Sequence, residues 1–160
     1  MLRLLRVAAL AGVVLAATAA RPAHAKWPPW LSIEAPVNPA DASVRDAVCL
    51  VHGATHEGAP SLSDLSATAE GLVGGVRRSI VLKLDATSRP GVFAVRKQWP
   101  NEGTWALRIS LFSTTAIVAL DRAGNVASVR IPTTLAEGRP IPRAVVARDI
   151  DSTLMVASAH

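Results

Sequence analysis

Apolar and polar residues alternate along several short stretches of the chain, the pattern of strands that bury one face. The alternation is cleanest over residues 105–111, and it recurs over residues 76–85 and 92–98. The predicted inward-facing side chains of the two clearest stretches are Ile80, Leu82, Leu84, Trp105, Leu107, Ile109 and Leu111. These stretches predict β-strands packed against a common core.

Further apolar runs predict the remaining strands, at residues 31–34, 65–72, 116–120 and 126–131. Residues 44–52 contain a continuous apolar run, which fits either a strand covered on both faces or a short buried helix. Residues 121–125, with the sequence Asp-Arg-Ala-Gly-Asn, predict a hairpin loop with Gly or Asn in the left-handed conformation.

About seven short strands with regular turns and almost no amphipathic helix predict an all-β fold, a two-sheet sandwich. We expect this domain to span residues 26–131. Residues 132–160 are expected to form a C-terminal linker and tail, linker-like over 132–142. Residues 143–159 fit either strand or helix, and Asp151 and Ser152 are candidates to cap a short terminal helix.

The first 25 residues have the organisation of a cleavable signal peptide. Arg3 and Arg6 precede a 14-residue apolar run over residues 7–20, which is shorter than the roughly 20 residues of a membrane-spanning helix. The small residues Ala23 and Ala25 predict cleavage before Lys26. We therefore expect a signal helix followed by a periplasmic or secreted domain with no membrane attachment after cleavage. The alternative is that the segment stays as an anchor.

Removal of this segment changes the charge of the chain. The full sequence has a net charge of +5, but the mature part keeps 14 Lys+Arg against 12 Asp+Glu, a net of +2. Such a weak positive charge argues against nucleic acid as a partner. The arginines of the central strands fit solubility and edge protection, or a patch for an acidic ligand; they are Arg77, Arg78, Arg96 and Arg108.

Two short motifs resemble those of exported bacterial immunoglobulin-like domains, including the YtkA-like group. Residues 90–107 contain Pro-Gly-Val-Phe, followed by Gly103, Trp105 and Leu107, and residues 121–126 contain an Asp-x-Ala-Gly-Asn turn before a strand. The resemblance covers residues 80–131 and implies an immunoglobulin-like sandwich. Some YtkA-like and neighbouring periplasmic sandwiches handle copper, so the resemblance also implies that copper ligands are worth considering in this chain. The paired cysteines of antibody domains are missing, since Cys49 is the single cysteine.

Cys49, His52 and His56 form the one local group with metal-ligand character, and Glu57 follows directly. Thiolate and imidazole groups suit copper or zinc. On a strand, Cys49 and His52 have opposite parity, so they would converge only if the strand bends near Gly53. The alternative is that Cys49 is a buried apolar residue and both histidines belong to an exposed loop.

The sequence contains no local signature of nucleophilic catalysis and no phosphate-binding loop. We therefore predict a protein that is not an enzyme and has no cofactor, an exported immunoglobulin-like module that binds or scaffolds another component of the cell envelope. The alternative function is a periplasmic copper- or zinc-binding protein that uses Cys49, His52 and His56.

Overall fold

The computed structural model describes residues 28–159, and the predicted signal peptide lies outside these residues. The described chain is mostly β-structure, with antiparallel strand pairs. The strands are β1 Trp30–Glu34, β2 Ala47–Ala54, β3 Leu65–Val73, β4 Val76–Val81, β5 Leu84–Ala86, β6 Val92–Arg96, β7 Thr104–Leu111, β8 Thr114–Leu120, β9 Val126–Arg130, β10 Thr133–Ala136 and β11 Arg139–Pro142. A short 3-10 turn covers Leu62–Asp64, and helix α1 covers Ala147–Ala159.

Two antiparallel sheets form the sandwich. The four-stranded sheet has the order β1-β2-β6-β5, and the five-stranded sheet has the order β4-β3-β7-β8-β9. The hairpin β10-β11 forms a separate two-stranded sheet. The prediction of a mostly β, sandwich-like fold of antiparallel sheets is confirmed.

The apolar face of β7 lies at the centre of the core. All four of its predicted inward side chains are buried there, together with Cys49, Val51, Phe93 and Val95 from the opposite sheet. Trp105 closes one end, where its ring lies against Gly71 so closely that a side chain at residue 71 would overlap it. The period of two over residues 105–111 therefore identified the centre of the core correctly.

The strand predicted over residues 76–85 is in fact two strands in different sheets. β4 is an edge of the five-stranded sheet and β5 is an edge of the four-stranded sheet. Between them, Leu82 turns into the core and its backbone N–H donates to the carbonyl of Ala67 at 2.9 Å. Val81, just before this crossing, is 81% exposed. The alternation is correct for Leu82, but the pattern gave no sign that the chain changes sheets.

Neither sheet leaves its outer face fully exposed to water. On the four-stranded sheet, Val44 from the segment between β1 and β2 packs against Leu50, Val92 and Ala94. This cover explains why β6 is buried on both faces instead of alternating with solvent, and the continuous apolar run over residues 47–51 is a strand with two covered faces.

The segment expected to be linker and tail contains the β10-β11 hairpin and α1. Ile150 and Leu154 of α1 pack on Ala106 of β7 and Ile117 of β8. The helix begins at Ala147, earlier than a cap at Asp151 and Ser152 would place it. Helix α1 thus packs on the sandwich, whereas the β10-β11 hairpin is a separate sheet whose side chains are mostly exposed.

Asp149 attaches the start of α1 to the rest of the domain. Its carboxylate, 7% exposed, accepts two hydrogen bonds from Arg143, at 2.7 and 2.8 Å, and one from the backbone N–H of Val146 at 3.0 Å. The guanidinium of Arg130 lies 3.7 Å away. The hydrogen bonds from Arg143 and Val146 hold the pKa of Asp149 well below its usual range. The bond to Val146 is half of a capping box, with the acid at the third helical position.

Replacing Asp149 by Asn should lower the free energy of unfolding by about 2 kcal/mol at pH 7, because a charged, buried acceptor is lost. The depressed pKa adds stability that is present above the unfolded pKa of about 4 and is lost as the pH falls. The difference in free energy of unfolding between the wild type and Asp149→Asn should therefore become smaller below about pH 4.

Urea unfolding across the pH range measures this difference, and Asp151→Asn is the matched control. Asp151 is 52% exposed and pairs with Arg77 at the surface, so its loss should change stability by less than about 0.5 kcal/mol. Equal effects of the two variants would contradict the assignment.

Candidate functional site

Cys49 lies in the middle of β2 and points into the core between the sheets. Its side chain is fully buried, and burial raises the pKa of its thiol to about 12. A thiol in this position stays protonated at neutral pH, which makes it a poor nucleophile and a poor metal ligand. Cys49 therefore behaves as a small apolar core residue.

His52 lies on the outer face of the four-stranded sheet, as its parity against Cys49 predicts. Its Nε2 atom is 2.7 Å from a carboxylate oxygen of Glu34 on the neighbouring strand β1. The guanidinium of Arg89 lies 3.9 Å from the same oxygen. His52 thus belongs to a small surface group of polar side chains and not to a site with the Cys49 thiol.

His56 and Glu57 lie at the tip of a tight turn that follows β2. Thr55 and Gly58 hold this turn by backbone hydrogen bonds in both directions, at 2.9 and 3.1 Å. The Thr55 hydroxyl also accepts a hydrogen bond from the backbone N–H of Glu57 at 3.1 Å. His56 and Glu57 both line a surface groove, whereas Cys49 lies in the core between the sheets.

Of the sequence-predicted ligands, the structure does not bring Cys49, His52 and His56 together. Across residues 28–159, no three His, Cys, Asp or Glu side chains come close enough to hold a metal ion. Nor does any helix in this part of the chain have the length and apolar character needed to cross a membrane.

His56 and Glu57 instead line an open groove of about 600 Å³ at one end of the sandwich. At this end β2 and β7 finish and β1, β3 and β8 begin. We call it the end groove, and its walls include Pro29, His56, Glu57, Pro60, Asp64 and Phe112. Among the described residues that line the groove, Glu57 and Asp64 carry carboxylates, and none is Lys or Arg.

The groove is built on a rigid base. Pro60 is buried over Gly53, where a side chain would meet the proline ring at 2.9 Å. On the other side, the hydroxyl of Thr114 donates to the carbonyl of Pro29 at 2.7 Å, which ties the start of β1 to the β7-β8 hairpin. The proline walls have little conformational freedom to lose when a ligand binds.

Asp64 accepts hydrogen bonds within the short 3-10 turn that precedes β3. The backbone N–H and the hydroxyl of Ser61 both donate to its carboxylate at 2.8 Å. These bonds lower the pKa of Asp64 below its usual value. Glu57 also lines the groove, and its backbone N–H is held by the Thr55 hydroxyl.

Phe112 is the most unusual residue of the end groove. It is the first residue of the two-residue loop between β7 and β8, which pairs Leu111 with Thr114. Its backbone has φ of +49°, a left-handed conformation that costs a bulky residue about 1–2 kcal/mol. Its side chain is nevertheless 60% exposed. The loop thus holds a large aromatic ring at the surface in a strained conformation.

The sequence interpretation missed Phe112, Asp64 and the proline walls. One signal was present: Phe112-Ser113 separates two apolar runs at the spacing of a two-residue hairpin loop, where Gly, Asn or Asp is usual. The approach of Pro29 and Pro60 to this loop has no local signal, because it depends on how distant loops pack.

Comparisons with protein-family models, curated proteins and solved structures find no match to the chain.

Burial of Cys49 predicts that its thiol resists modification in the native protein. At pH 8, a pKa of about 12 leaves only about one thiol in 10⁴ ionised, so a maleimide or disulfide reagent should react mainly in denaturant. Zinc and copper titrations should give the same affinities for the wild type and for Cys49→Ala.

Mass spectrometry of the labelled protein measures the reaction, and Ser63→Cys, at an exposed position, is the reactive control. Native labelling of Cys49 as fast as that of the control, or a metal affinity lost in Cys49→Ala, would contradict the buried role.

Proposed function

We propose that this chain is a non-catalytic, exported immunoglobulin-like domain that binds another protein of the cell envelope. The signal-peptide pattern of residues 1–25 supports export to the periplasm or beyond. The antiparallel two-sheet sandwich and the hairpin motifs over residues 80–131 support the immunoglobulin-like assignment. Sandwiches of this kind serve as frameworks that present binding loops at their ends.

Phe112 is the observation that carries the proposal. A folding requirement would place Asn or Gly at its position and would bury a phenylalanine elsewhere. Backbone strain and an exposed aromatic ring occur together at functional surfaces, where the fold maintains a conformation that local preference disfavours. Aromatic side chains are also the residues that contribute most to protein interfaces. The end groove is therefore the binding surface that we assign to this domain.

Site-specific photocrosslinking tests the proposed function in the native cell. Benzoylphenylalanine at position 112 keeps an aromatic ring at the loop, and the control position is Leu135, which is 74% exposed on β10. We expect a discrete adduct from position 112 only, with a protein that then binds the purified chain directly. Adducts of equal yield at both positions, or none at position 112, would contradict the proposal.

Replacing Phe112 by Asn should separate stability from binding. Asn tolerates the left-handed conformation, so the free energy of unfolding should rise by about 0.5–1 kcal/mol, whereas binding of the crosslinked partner should weaken at least about tenfold. Urea unfolding and titration of the purified partner measure the two effects.

Glu137 offers a matched control, because it has φ of +51° in the β10-β11 loop and does not line the end groove. Glu137→Asn should also stabilise the fold but should leave partner binding unchanged. A loss of stability in Phe112→Asn would show instead that the ring is a packing residue.

A further inference from the structure

The residues that line the end groove indicate what kind of partner segment would bind there. Its volume of about 600 Å³ lies within the range of pockets for small ligands, but it is open and so admits a continuous chain. We infer that it binds an extended, proline-containing segment of a partner protein that carries Lys or Arg side chains. This inference rests on the proposed binding function and adds the class of partner.

The apolar walls favour an extended, proline-containing segment. Pro28, Pro29 and Pro60 provide rigid ring surfaces, and Phe112 adds an exposed aromatic face. Grooves lined by aromatic side chains recognise polyproline segments, because such segments are already extended and lose little freedom on binding.

The charges favour a basic segment. The groove contains the carboxylates of Glu57 and Asp64, and the Ser61 hydrogen bonds fix the position of the Asp64 carboxylate in its wall. This acidic surface belongs to a mature chain whose net charge is positive, so it is a local feature rather than a property of the whole surface. The carboxylates would attract a Lys or Arg side chain in the groove, and the Phe112 ring offers it a cation–π contact.

Peptide titration of the exported chain, purified after processing, tests the inference. The probe is a blocked peptide of four Lys-Pro repeats, and the control peptides are four Glu-Pro repeats and four Lys-Ser repeats. We expect binding of the Lys-Pro peptide that is at least about tenfold tighter than that of either control. Binding should weaken as salt is raised, since charge attraction contributes to it.

Variants of the protein show whether the peptide uses the end groove. Glu57→Lys and Phe112→Asn should each weaken binding of the Lys-Pro peptide at least about tenfold. Glu137→Lys makes the same charge change outside the groove and should alter affinity less than about twofold. Equal weakening by Glu57→Lys and Glu137→Lys would overturn the inference, because it would show general charge attraction.

Other occupants of the groove give different results, and each overturns the inference. Peptide binding that appears only in Lys26→Glu or Trp27→Ala would assign the groove to the chain's own N-terminal segment. Self-association in sedimentation that is lost in Phe112→Asn would assign it to a second copy. A crosslinked partner at position 112 without Lys-Pro peptide binding would leave the proposed function standing and reject the basic, proline-containing segment. If neither a crosslinked partner nor Lys-Pro peptide binding is found, both the proposed function and this inference are rejected.

Discussion

The contact between the two sheets through the apolar face of β7 is the interaction on which the rest of the structure depends. The single cysteine excludes an intrachain disulfide, so apolar burial must hold the sheets together. Leu107, Ile109 and Leu111 are fully buried, and each contributes about 2 kcal/mol by its removal from water. Trp105 closes the end of this core against Gly71 of the neighbouring strand, where a larger residue would displace the Trp105 ring. Cys49 faces β7 across the core, and this position explains its inert thiol.

Parts of the chain outside the two sheets cover the outer faces of the sandwich. A strand such as β8, buried along its whole length, requires a cover on its second face, and α1 provides it through Ile150 and Leu154. Asp149 fixes the start of that helix, so an electrostatic contact holds an apolar cover in place. Helix α1 therefore completes the burial of the five-stranded sheet on its outer side.

The sequence predicted what depends on local period and failed where distant contacts decide. Alternation located the inner face of β7, and the Gly124-Asn125 pair located a hairpin loop whose backbone closes on Asp121. The chain passes from one sheet to the other at Leu82 without a break in the alternation of apolar and polar residues. One long strand and two short strands therefore have the same sequence pattern. Residues 132–142 were expected to be linker-like, but they contain the β10-β11 hairpin, whose edge strands tolerate proline. Strand alternation correctly predicted that Cys49 and His52 lie on opposite faces of β2. The end groove, in contrast, is formed by loops that are distant in the sequence, and no sequence pattern predicts that they lie close together.

The end groove is possible because the core does not need the residues that form it. The turn at His56 and Glu57, the Ser61–Asp64 turn and the Phe112 loop are each closed by their own hydrogen bonds or strand pairing. Their side chains are therefore free to differ without loss of the core, which is how sandwich folds acquire unrelated binding functions. Phe112 breaks the local rule for its loop, and the buried strands on either side of it hold that strained conformation in place. The stability of the β7-β8 hairpin thus maintains an aromatic surface that folding alone would not select.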